Sequence, residues 1–342
     1  YPAPLYNKAY YEACDLLMGI SKQTVEINKM VLGDAASDKV IRYVPHGIDE
    51  DTFRSLDGSR ESAKVQEIRD SLFEGRDIEF VVFFNSRNIR RKSPGDVILS
   101  YRQFCDQIGP EKAKKCALVM HTQAVDKNGT DLYAVREAIC DPEYVNVFFS
   151  QNKLSPEQMN LLYNIADVTM LISSNEGWGL SLTESMMAGT MIAANVTGGM
   201  QDQMRFVDSK KKWYTPSTDV PSNHMKTYEE HGEWAFPVFP TNISMVGSVP
   251  TPYIYDDRCD FRDVANAIEE VYSLSPEERQ RRGEAGREWV TSEESGMSAR
   301  MMCENVLSSI NESFEKFQPR APFELFKVET PEPKYVKHKI VY

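Results

Sequence analysis

From residue 78 onward the chain alternates short, continuously apolar runs with longer stretches of helical spacing. Residues 78–84 (IEFVVFF), 117–120 (ALVM), 145–149 (VNVFF), 168–172 (VTMLI) and 191–194 (MIAA) read as strands. Between the first two, Val97, Ile98, Tyr101, Phe104 and Cys105 keep a helical period behind Ser93-Pro94, a cap residue with proline at the first helical position. Helices are also expected over 131–139, from Ser155 and over 182–188, with Ser155-Pro156-Glu157-Gln158 spelling a capping box. Strands apolar on both faces, alternating with helices, predict a doubly wound, Rossmann-like parallel sheet in an α/β domain over about residues 78–300. Such sheets bind ligands beyond the carboxyl ends of their strands. The loops after Phe84, Met120, Phe149, Ile172 and Ala194 are therefore where chemistry is expected.

Outside this series the pattern changes. Residues 15–20 read as one strand, and Ser21 caps a helix to about Leu32, so 1–44 look like the closing βα piece of an earlier Rossmann-like domain. A connector is expected over 45–77, opening with Pro45-His46-Gly47-Ile48-Asp49. The start at Tyr1-Pro2-Ala3-Pro4 adds the expectation that the earlier part is missing. Periodicity fails over 207–258, a proline-rich stretch with Trp213 and Trp234, which reads as an insertion, a lid or an interaction surface. Helices return over 261–273, over 275–290 behind a second capping box, and over 297–317; residues 301–342 are expected to hold this last helix and an extended tail from Gln318.

Charge narrows the partners. Against 39 Lys+Arg stand 51 Asp+Glu, a net charge of −12, which argues against a broad phosphate-binding face and against nucleic acid. No apolar run approaches the roughly 20 residues of a membrane helix. The six cysteines are scattered without a CxxC pair, the pattern of reduced thiols in a cytosol rather than of a disulfide or zinc framework. A cytoplasmic or membrane-peripheral location is expected. The N-x-S/T triplets at Asn128, Asn195, Asn242 and Asn311 are adequately explained by chance.

Two stretches carry candidate chemistry. Residues 173–184 (SSNEGWGLSLTE) leave a strand and enter a helix, with Gly177 and Gly179 to turn the backbone and a helix start near Ser181 whose free N–H groups suit a phosphate. Glu176 before the turn and Glu184 one helical turn in can face different parts of one extended ligand. Residues 85–94 (NSRNIRRKSP) place three arginines and Lys92 after the first strand of an acidic chain, as a diphosphate requires. Each stretch alone also reads as a solvated loop. Their shared position at one sheet edge favours a site.

Together the E-x7-E of Glu176 and Glu184 and the R-x4-K of Arg87 and Lys92 resemble the donor domain of retaining GT-B glycosyltransferases, the "glycosyl transferases group 1" (family 4) class. Residues 45–53 (PHGIDEDTF) resemble that class's interdomain connector, and 162–190 follow its pattern almost throughout. The resemblance covers roughly residues 13–300. It implies an EC 2.4 hexosyltransferase-type enzyme that moves a sugar from a UDP-, GDP- or ADP-sugar to a glycan or lipid acceptor with retention. Arg87 and Lys92 would bind the diphosphate, Glu176 the sugar hydroxyls, and Gly177, Trp178, Gly179, Leu180 and Ser181 the sugar and phosphate through their backbone. Glu184 would hold the ribose, Ser150 and Gln151 would lie near the base, and His121 would approach the donor cleft. Gly198-Gly199 match a glycine pair of the class, whereas Met200-Gln201-Asp202 depart from its usual Pro-Glu. No cofactor or metal is expected: Asp49-Glu50-Asp51 spells D-x-D, but within the connector. His46 receives no role. The alternatives are a nucleotide-sugar-binding domain without transferase activity and a Rossmann oxidoreductase, the latter opposed by the lack of G-x-G-x-x-G after the first strand.

Overall fold

The structure, a computed structural model, describes residues 7–56, 63–217, 222–249 and 251–319. The chain opens with α1 (Lys8–Ala13), then a parallel βαβ unit of β1 (Leu16–Gly19), α2 (Lys22–Leu32) and β2 (Val40–Tyr43). Ser21 caps α2 by accepting from the Thr24 N–H at 3.1 Å. The segment read as a connector carries a helix, α3 (Ala63–Phe73), which buries Val65 and Phe73.

Then follow β3 (Phe80–Asn85), α4 (Pro94–Ile108), α5 (Pro110–Ala113), β4 (Cys116–His121), α6 (Leu132–Ile139), β5 (Val147–Ser150), α7 (Pro156–Ile165), β6 (Val168–Leu171), α8 (Leu180–Met187), β7 (Met191–Asn195) and α9 (Met200–Met204). Every expected strand of the series is present. Within 207–258, β8 (Ala235–Val238) joins the sheet, and β9 (Asn242–Ser248) pairs with β10 (Thr251–Arg258) as an antiparallel hairpin. The chain closes with α10 (Phe261–Tyr272), α11 (Pro276–Val290) and α12 (Ala299–Lys316). The expected extended tail lies, from residue 320, outside the described residues.

The main sheet has six strands in the order β5-β4-β3-β6-β7-β8, all parallel. Its apolar runs are buried on both faces. In β3, Phe80, Val82 and Phe84 pack with Val97, Tyr101 and Phe104 of α4, while Val81 and Phe83 pack with Phe73 of α3 and Tyr163 of α7. Helices therefore cover both sides, as a doubly wound α/β sheet demands. One local expectation fails: Ser93 does not cap α4 with its side chain but sits left-handed at φ 50°, with Pro94 starting the helix.

The strand order fixes where a ligand fits. The chain starts in the middle at β3, winds outward to β5, and returns to β6 on the other side of β3. The loops leaving β3 and β6 thus run to opposite sides, and a crevice opens between them at the carboxyl edge.

Candidate functional site

A cleft of about 360 Å³ lies there. Lys92 comes from the loop after β3, and Glu176, Gly177, Trp178, Gly179, Leu180, Ser181 and Glu184 come from the loop after β6 and the first turns of α8. The two loops are bonded to each other. The Ser174 N–H donates to the Arg91 carbonyl at 2.8 Å, and the Arg91 guanidinium donates to the Asn175 carbonyl at 2.8 Å and the Glu176 carboxylate at 3.0 Å. Lys92 closes an ion pair with the same Glu176 oxygen. Burial pulls the Lys92 ammonium below its ordinary pKa, and Glu176 opposes that pull.

Backbone conformation sets the floor. Gly179 occupies the N-cap of α8 at φ 94°, where a side chain would be strained, and no side chain caps the helix. The Leu182 N–H donates to the Gly179 carbonyl at 3.0 Å, while the N–H groups of Leu180 and Ser181 and the positive end of the helix dipole are left to the cleft. Gly198 and Gly199 let the loop after β7 pass beneath: a Cβ on either would collide with a carbonyl oxygen of Glu176 or Gly177. Trp178 is buried; its indole N–H donates to Thr183 Oγ1 at 3.0 Å, and its carbonyl accepts from the Gln203 amide at 2.7 Å.

Glu184 faces the cleft from α8 and accepts from the Tyr163 hydroxyl at 2.6 Å. Asn85, at the end of β3, donates its amide to that hydroxyl at 2.9 Å. Burial raises the Glu184 pKa, and the Tyr163 bond counteracts it.

Other expected residues lie elsewhere on the edge. Arg87 is exposed and is not among the cleft-lining residues. His121 and Ser150, at the ends of β4 and β5, bond each other at 3.0 Å, and burial lowers the His121 pKa. Gln151 accepts from the Ala124 N–H at 3.1 Å and donates to the Tyr133 hydroxyl at 2.7 Å. His121, Ser150 and Gln151 do not line the cleft either. Conversely, the cleft includes Ile20, His46, Asn85 and Ser86, to which sequence reasoning attached no role. Only strand order and the return of the connector past the sheet edge reveal them.

Asp202, where the sequence departs from Pro-Glu, is buried on the seam with the N-terminal βαβ unit. It accepts from the Lys22 N–H at the start of α2 at 2.8 Å. The Lys22 ammonium donates to the Tyr214 carbonyl at 2.9 Å and lies 3.3 Å from the centre of a Trp213 ring.

This mixed α/β architecture with its parallel sheet is of GT-B type. Residues 68–220 match the family model described as glycosyl transferases group 1. The sucrose-phosphate synthase of Thermosynechococcus elongatus is similar in fold, at TM-score 0.58 and 17% identity over 90% of this chain and 61% of that one. So are the α,α-trehalose 6-phosphate synthase of Burkholderia multivorans (TM-score 0.61, 11% identity, 90% and 61%) and Anabaena Alr3699/HepE, solved with UDP-glucose (TM-score 0.58, 12% identity, 87% and 64%). The chain spans less than two thirds of each of these three structures. No curated protein sequence matches it. Among the described residues no helix is long and apolar enough to cross a membrane.

Proposed function

We propose that this chain carries the donor site of a retaining, nucleotide-sugar-dependent glycosyltransferase. The observation that supports it most is the convergence, in one switch-point cleft, of Lys92, Glu176, Glu184 and the uncapped start of α8. In this reading residues 78–300 form the donor domain, 45–77 are the interdomain connector, and 1–44 close an N-terminal domain. Lys92 and the α8 N–H groups grip the diphosphate, with Arg87 joining from the exposed side of the same loop. Glu184 holds the ribose hydroxyls, and the base extends toward Ser150, Gln151 and His121. Glu176 leaves its ion pair with Arg91 and Lys92 to accept from sugar hydroxyls.

The reaction proposed is front-face displacement. The bond between the anomeric carbon and the diphosphate oxygen breaks, and the acceptor hydroxyl attacks from the same face. Its proton passes to the departing phosphate. The protein positions the groups and stabilises charge on the leaving diphosphate. Lys92 and the helix dipole supply positive charge where a metal would otherwise act, so turnover is expected to survive EDTA. Loss of turnover in EDTA, restored by Mn²⁺ or Mg²⁺, would contradict this.

Calorimetry with UDP, GDP and ADP and their sugar conjugates tests the reading. One of the three diphosphates is expected to bind, and its affinity is expected to fall with Lys92→Ala. Binding of none, or binding indifferent to Lys92, would sink it.

A further inference from the structure

We propose that His46 is a sugar-contacting residue of this cleft, its imidazole hydrogen-bonding a hydroxyl of the transferred sugar opposite Glu176. The inference rests on the donor-site reading above. His46 is half-buried and lines the cleft beside Ile20, Glu176 and Trp178. Its ring stands edge-on to Trp178, centroids 6.3 Å apart at 75°. The imidazole has no hydrogen bond or ion pair among the described residues. A half-buried imidazole in a polar cleft has both nitrogens to satisfy, and when neutral it offers one donor and one acceptor. A sugar hydroxyl, itself donor and acceptor, matches either.

The backbone holds the ring in place. On one side the Val44 N–H donates to the Gly19 carbonyl at 2.9 Å. On the other, the Ile48 N–H donates to Met297 at 3.0 Å, and the Ile48 carbonyl accepts from Ala299 at 2.9 Å. Between them Gly47 packs so closely on the start of α12 that a Cβ would strike Ser298, Ala299 and Met302. The connector is thus clamped on both flanks of His46, and its side chain is presented rather than free to swing away. Position favours sugar over phosphate. The cationic and dipolar groups that suit phosphate are Lys92 and the α8 start, whereas Ile20 and His46 approach the Gly177–Trp178 stretch, next to the sugar-facing carboxylate.

The test is calorimetry on the chain with whichever diphosphate and sugar-nucleotide pair binds, UDP and UDP-glucose being tried first. His46→Ala is expected to weaken the sugar nucleotide about three- to tenfold while leaving the free diphosphate within about twofold. His46→Gln, which keeps a donor and an acceptor, is expected to recover part of the loss. Deoxy-sugar nucleotides lacking one hydroxyl each should include one for which wild type and His46→Ala bind alike. Equal weakening of diphosphate and sugar nucleotide would overturn the proposal, as would no change in either. A wild-type chain that binds none of the pairs would instead overturn the donor-site reading. A chain that binds them through Lys92 but ignores His46 would overturn only this inference.

Discussion

Two lysines sit beside carboxylates at two different seams of this molecule, and their fates differ. Lys92 and Glu176 pair across the crevice between the loops after β3 and β6, with side chains 12% and 10% exposed. Lys22 and Asp202 meet between α2 and α9, where Asp202 is sealed from solvent. Burial lowers both ammonium groups, Lys22 to about 8. At the second seam Lys22 and Asp202 already have internal partners: the Lys22 N–H on Asp202, and the ammonium on a carbonyl and over an indole. At the first, the pair borders an open cleft and an uncapped helix start, and in the proposed reading an incoming diphosphate takes Lys92 and releases Glu176. Similar residue chemistry thus yields a candidate site where the sheet's winding opens a crevice, and a weld where it does not.

The largest effect expected is at the crevice. Lys92→Ala should raise the dissociation constant for the nucleoside diphosphate roughly tenfold to a hundredfold, the worth of about 1.5–3 kcal/mol for a charge-assisted bond. An unchanged constant in calorimetry would erase the distinction between the two seams.

At the weld, Asp202→Ala should leave the Lys22 N–H without its acceptor and cost about 1–3 kcal/mol of stability, with diphosphate affinity nearly intact. Burial lifts the Asp202 pKa to about 7. Between the usual carboxylate range and about pH 7 the folded state therefore keeps a proton that the unfolded chain has released. Asp202 accordingly makes stability fall as pH rises through that window. Asp202→Asn should flatten this limb of the melting-temperature profile. An Asn variant with an unaltered profile would show that Asp202 is not buried as described.

A smaller effect is expected from Tyr163→Phe. Losing the hydroxyl that bonds Glu184 should weaken ribonucleotide binding about three- to tenfold and the 2′,3′-dideoxy counterpart much less. Equal losses for both would mean that Tyr163 acts on packing alone.

The comparison also separates what was readable from what was not. Lys92 and Glu176 were legible because two loop motifs flank apolar runs whose burial on both faces implies a parallel sheet. Asp202 was not, since a carboxylate in MQDQM reads as solvated until α2 is seen to cover it. Strand β8 is masked in the sequence because Pro237 interrupts AFPV, and proline is tolerated there because β8 is an edge strand paired to β7 alone. Helix α3 was hidden in a charged stretch, contributing only Val65 and Phe73 to the interior. His46 and Tyr163 could not be placed from sequence. The reach of His46 into the cleft and of Tyr163 to Glu184 depends on how the connector and α7 pack at the sheet edge, which residue spacing does not encode.

The central claim is that the switch-point cleft is where a nucleotide sugar binds. A crystal structure of the chain soaked with the diphosphate that calorimetry selects tests it most directly. The account predicts the diphosphate between Lys92 and the first turn of α8, the ribose on Glu184, and the Lys92–Glu176 ion pair broken. A nucleotide bound away from that cleft, or bound with the ion pair undisturbed, would contradict it.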